Sequence, residues 1–125
     1  MTRSKAAQIA LFCMLAAVLL TGCQEIEAIK ALTIENVSVG SVKDGSYEGY
    51  QNNKIVTAKV RLSVKDGRII DIQLLEHNHG PKHGAEAILG RILDIQTLMV
   101  DAVSGATYSS KVVLKAVELA LAQGL

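Results

Sequence analysis

Tryptophan is absent from this chain of 125 residues, and its one phenylalanine, Phe12, falls in a leading apolar segment. Beyond that segment only Tyr47, Tyr50 and Tyr108 are aromatic. Cysteine is nearly as scarce. Cys13 and Cys23 both stand near the start, so nothing from residue 24 onward can form an internal disulfide. Stability must then come from a core of about a hundred residues, enough for one small domain. No excess of one charge is present either, which leaves no basic footprint for nucleic acid and no polybasic membrane patch. Internal repeats, low-complexity tracts and a nicotinamide-binding fingerprint are also missing.

One long apolar run is present, from Ala6 to Leu20. At fifteen residues it falls short of the roughly 18 expected of a membrane-spanning helix. Arg3 and Lys5 precede it, and Leu20-Thr21-Gly22-Cys23 close it with small residues. A charged start, a short apolar centre and a small-residue exit describe a secretory signal peptide over residues 1–22. The Cys after Leu-Thr-Gly resembles the lipobox of bacterial lipoproteins. That resemblance implies a lipid on Cys23, cleavage before it, and a mature protein held at the extracytoplasmic face of a bacterial membrane. Two or three acyl chains anchor firmly where one does not. Removing Arg3 and Lys5 leaves 11 basic and 12 acidic side chains, a net charge of −1.

Residues 23–41 read as the lipidated N-terminus and a short tether, with a weak helical pattern in Ile26, Ile29 and Leu32. Residues 42–125 read as the folded domain. Ser46–Tyr50 forms a short strand between Asp44-Gly45 and Asn52-Asn53. Val56, Ala58, Val60, Leu62 and Val64 then alternate with Thr57, Lys59, Arg61, Ser63 and Lys65, the pattern of a half-buried antiparallel strand. Arg68–Glu76 follows, with Ile70, Ile72 and Leu74 expected on one face. Matching the two apolar faces calls for a three-residue bulged turn at Lys65-Asp66-Gly67, pairing Leu62 with Ile70 and Val60 with Ile72. Helical spacing recurs over residues 84–98 (Ala85, Ile88, Leu89, Ile92, Ile95) and from about Ser110 to Ala122 (Val113, Ala116, Val117, Ala120). The expected architecture is α+β: a small antiparallel sheet with two helices packed on one face, preceded by the signal peptide and tether.

Between the helices lies Asp101-Ala-Val-Ser104-Gly105-Ala106-Thr107-Tyr108-Ser109-Ser110. Small hydroxyl residues leading into a helix present free backbone N–H groups and the positive end of the helix dipole, a natural phosphate seat. The same residues also read as plain capping, with Ser109 or Ser110 as N-cap and Gly105 for a turn.

DAVSGATYSS closely resembles the flavinylation motif of the FMN-binding domain family, Asp-x-x-(Ser/Thr)-Gly-Ala-Thr. DGSYEGY at 44–50 resembles the family's opening strand, and VKDGRIIDIQLLEHN at 64–78 its central hairpin. The likeness runs from Asp44 to about Ala120 in the right order. It implies that Thr107 carries FMN through a phosphoester, that Ser104, Gly105 and Ala106 admit the phosphate, and that Asp101 serves loop geometry or recognition. It also implies a separate flavin transferase as modifying partner, using FAD as donor, so that Thr107 is an acceptor and no catalytic residue is needed here. The protein would be an electron carrier between redox donor and acceptor proteins at the membrane surface, rather than a stand-alone enzyme. Tyr108 adjoins the motif as a possible ring neighbour, and the shortage of aromatics points to an exposed flavin.

His77, His79 and His83 sit in HNHGPKHG. Imidazoles are common metal ligands, but the spacing matches no zinc pattern. A loop lining the flavin site, with His79 near the ring, ranks ahead of solvated histidines, and a metal site ranks last. Alternative functions are a non-covalent FMN-binding lipoprotein, a flavin-dependent reductase and, remotely, a metal- or heme-binding lipoprotein using the His loop.

Overall fold

The computed structural model describes residues 27–78 and 82–125, with Lys82 and His83 described in their backbone alone. The signal segment, Cys23 and His79 lie outside the described residues. Three strands, β1 (Gly45–Asn52), β2 (Thr57–Lys65) and β3 (Arg68–Asn78), form an antiparallel sheet in the order β1-β2-β3. Two helices follow, α1 (Lys82–Ile95) and α2 (Thr107–Ala122). The α+β architecture expected from the periodicities is the one observed.

Alternation places Ala58, Val60, Leu62 and Val64 of β2 in the core, all nearly inaccessible to solvent. Helix α2 packs against β1 and β2, and α1 against β3. Gly49 is what allows α2 to come close. A Cβ there would stand 1.8 Å from the Ala116 carbonyl oxygen and 2.8 Å from the Ala120 nitrogen. Helix backbone thus rests directly on strand backbone.

The hairpin between β2 and β3 differs from expectation in an instructive way. Lys65 pairs with Arg68, and the connecting Asp66 and Gly67 both have positive φ, 52° and 73°. This is a two-residue type I′ turn, not a three-residue bulged one. The residue of slip needed to align the apolar faces is taken inside the strand. The pairing steps from Val64↔Ile69 to Ser63↔Asp71, so Ile70 is an unpaired bulge, 60% exposed. Ile69 and Ile72 enter the core in place of the expected Ile70–Ile72 pair, and Leu62 opposes Ile72. A second shift skips Leu75, bringing Val60 opposite Leu74 and Ala58 opposite His77.

Two further elements extend past their expected ends. β3 continues through His77 and Asn78, so the first histidine of HNHGPKHG belongs to the sheet rather than a loop. α2 begins at Thr107, three residues before the expected start. Helix α1 ends at Ile95, which is exposed, because Gln96 adopts a left-handed conformation with φ 62°. Left-handed residues terminate helices in this way. The Gln96 carboxamide then pairs with both backbone groups of Ile69, accepting from its N–H at 2.7 Å and donating to its carbonyl at 2.9 Å. It thereby covers part of the open edge of β3.

The stretch read as a tether is docked on the domain over its described part. Ile29 and Val39 belong to the buried core, and Leu32, Ile34 and Val37 pack against it.

Candidate functional site

The motif loop is held from three sides. Arg91 of α1 donates to the Asp101 carbonyl at 2.6 Å, fixing where the motif starts. Val103–Ala106 closes as a turn, with the Ala106 N–H donating to the Val103 carbonyl at 2.9 Å and Gly105 at φ 79°. A glycine in that third position is what a type II turn requires. From within the helix, the fully buried Ser110 hydroxyl accepts from the Val103 N–H at 3.1 Å and donates to the Ala106 carbonyl at 2.7 Å. Ser110 therefore clamps the loop onto the first turn of α2. Neither Ser109 nor Ser110 is the N-cap, contrary to the capping alternative. That position is Ala106, which has no side-chain donor or acceptor to offer.

An alanine cap has a chemical consequence. The Ser110 N–H makes the first intrahelical bond, to the Ala106 carbonyl. The N–H groups of Thr107, Tyr108 and Ser109 have no partner within the helix. They stand at the positive end of a 16-residue helix dipole, which favours an anion such as phosphate. Thr107 is exposed, and its hydroxyl hydrogen-bonds to none of the described residues. Thr107 combines a hydroxyl, exposure and contact with a cavity.

That cavity, of about 320 Å³, is walled by apolar side chains including Ile34, Leu98, Val100 and Leu114, with Thr107 and Lys111 on the helix side. The volume lies at the lower end of the roughly 300–1,000 Å³ typical of ligand pockets. Thr107, Lys111 and Leu114 recur at helical spacing and so share one face of α2. These features fit a phosphate ester on Thr107 with an apolar ring system nearby.

On its other flank the loop meets the start of α1. A Cβ on Gly84 would stand 2.3 Å from the Ala106 Cβ. The start of α1 at Gly84 is thus packed directly against the motif, while His79 lies outside the described residues. His77, at the end of β3, has both ring nitrogens buried without a hydrogen-bond partner among the described residues. That burial holds its imidazole below the ordinary value of 6.5, favouring the neutral form.

The remaining sequence candidates are placed as follows. Asp101, Ser104 and Gly105 are exposed in the loop, and Ala106 is buried against Gly84. Tyr108 adjoins Thr107 and is partly exposed. Tyr47 lies at the opposite end of α2, beside Gly124, with its hydroxyl donating to the Lys43 carbonyl at 2.7 Å. A rise of about 1.5 Å per residue separates it from Thr107 by roughly 25 Å, so it is a structural aromatic. Residues the sequence did not single out are Gly84, Arg91 and Lys111, together with the cavity wall, while Ser110 was read as a capping candidate and not as a clamp. Lys111 had a legible signal, four residues beyond Thr107 on one helix face. Arg91 and Ile34 had none, since only tertiary packing brings them to the loop and cavity.

Comparison with curated proteins finds no match to the chain. The family model of the FMN-binding domain matches residues 49–122, more than half of the chain, from within β1 to the end of α2. With that match joined to the geometry around Thr107, the chain belongs to the FMN-binding domain family.

Proposed function

We propose that this protein is an electron carrier that holds FMN covalently, through a phosphoester to Thr107, at the extracytoplasmic face of a bacterial membrane. One observation carries the covalent part: Thr107 is exposed, with no hydroxyl partner among the described residues, at a helix start without a side-chain cap and on the rim of an apolar cavity. The anchoring rests on the signal pattern of residues 1–22 and the lipobox-like Leu20-Thr21-Gly22-Cys23.

In this reading each group has a definite task. The N–H groups of Thr107, Tyr108 and Ser109 face the phosphate with the helix dipole behind them. Lys111, one turn on, adds a full positive charge on the same helix face. Ser110 and Arg91 hold the loop so that Thr107 stays presented to a modifying enzyme. FMN, when bound, supplies one- and two-electron transfer, while the protein sets orientation and local charge. A covalent link suits an exported protein, because any non-covalent affinity is finite and a lost flavin is not easily replaced outside the cytoplasm.

The test is intact mass and peptide mapping of the full chain, expressed with its export signal and a flavin transferase. An added mass of FMN less water on the Thr107 peptide, absent from Thr107→Ala, is the expected result. Unmodified Thr107, while the transferase modifies a control acceptor, overturns the covalent reading in favour of non-covalent flavin.

A further inference from the structure

The segment before the sheet does more than connect. Lys111 donates to the Lys30 carbonyl, Lys115 donates to the Thr33 carbonyl at 3.2 Å, and the Glu35 N–H donates to the Glu118 carboxylate at 3.3 Å. Lys111, Lys115 and Glu118 form one stripe along α2, so residues 30–35 run beside the helix as a strap, in the same direction. The strap ends at Asn36, whose side-chain oxygen accepts from the Thr97 hydroxyl at 3.0 Å and the Leu98 N–H at 3.4 Å. Glu118 is only 8% exposed and pairs with Lys115 at 3.0 Å. Breaking a buried pair of this kind is costly, which holds the strap in place.

The strap also bounds the cavity that holds Thr107. Ile34 and Asn36 form one side, and Leu98–Val100 another. Met99 belongs to the same wall and is 74% exposed, a large apolar side chain left against water beside the site. Residues 30–36 lie outside the 49–122 match, so nothing in the family assignment gives them a role.

We propose that the strap is part of the flavin site, with Ile34 and Asn36 completing an apolar seat for the fused ring system of a flavin carried on Thr107. This rests on the covalent reading above. The chemistry of the wall fits such a ring, with aliphatic side chains for its faces. At its polar edge the Asn36 amide N–H groups are available, because only the Asn36 oxygen is engaged among the described residues. Ile34 and Asn36 are binding residues in this account, and Thr97 is a positioning residue acting through Asn36.

The absence of tryptophan makes a direct test possible. In full-length flavinylated protein, Ile34→Trp places the chain's one indole in the seat, and stacking on the flavin quenches its fluorescence. A several-fold drop in indole emission is expected relative to the same variant made without the flavin transferase. Ile70→Trp, on the exposed bulge of β3, serves as control, and its emission should fall far less on flavinylation. Asn36→Asp, which adds little bulk, should lower the flavin midpoint potential by placing a negative charge at the ring. FMN present by mass on Thr107, with fluorescence in Ile34→Trp and potential in Asn36→Asp both unchanged, would overturn the strap's role and leave the covalent carrier intact. Absence of FMN from the unsubstituted protein instead sinks the covalent reading itself.

Discussion

Two glycines of α1 allow the packing of the motif loop to be tested against an internal control. At Gly84 an added Cβ meets the Ala106 Cβ at 2.3 Å, whereas at Gly90 it meets nothing within 4 Å. Carbon atoms pack optimally at about 3.5–4.0 Å, so Gly84→Ala forces the loop and helix apart by more than an ångström. Neither side can yield through a flexible side chain, since Ala106 has none beyond its Cβ. Overpacking of this kind costs about 1–3 kcal/mol, and the helical preference of alanine returns about 0.5–1 kcal/mol. A net loss of up to about 2.5 kcal/mol is expected. Thermal unfolding should register it as roughly 4–8 °C for each kcal/mol in a domain of this size. Gly90→Ala carries the helical gain without the clash and should raise the midpoint. Because the displaced residue immediately precedes Thr107, Gly84→Ala should also slow incorporation of FMN, measured by intact mass over time, while Gly90→Ala leaves it unchanged. If both variants gain stability and accept flavin alike, the Gly84–Ala106 contact does not hold the motif, and the account of loop positioning fails.

Ser110→Ala removes a buried hydroxyl that serves two backbone groups, and leaves the Val103 N–H without its acceptor. A loss of about 1–2 kcal/mol should follow, read as a lower denaturant midpoint and faster amide exchange at Val103, and unchanged exchange there would refute the clamp. His77 makes stability depend on pH in a defined direction. Its folded imidazole titrates below 6.5, so above that value neither state is charged and the group contributes no pH dependence. As pH falls below 6.5 the unfolded chain takes up a proton that the folded chain resists, and stability declines until the folded value is passed. His77→Leu should flatten that decline in midpoints recorded between pH 7.5 and 5, and an identical slope in the variant would assign the decline to other groups.

Much of this protein was legible in one dimension. The alternation in β2 specified a half-buried strand, because a period of two can satisfy a one-sided core in no other way. Helical spacing likewise marked both helices and the buried face of α2. The segment around Thr107 could be picked out because it is a short run of small residues, all adjacent in sequence. The β2–β3 register was half legible. The need to align two apolar faces was correct, but whether a turn or a bulge absorbs the extra residue depends on backbone geometry. The left-handed pair Asp66-Gly67 took the tight turn and pushed the irregularity to Ile70.

Tertiary structure alone decided the surroundings of Thr107. Nothing local distinguishes Gly84 from Gly90, yet one meets Ala106 and the other meets solvent. Nothing in residues 30–36 distinguishes a strap from a tether until Lys111, Lys115 and Glu118 are seen to bind it. Periodicity reports which face of an element is buried, and a motif reports which atoms can react. Neither reports which distant segment closes over them, because that contact has no repeat and no fixed spacing. It is set by where two elements come to rest on a shared core.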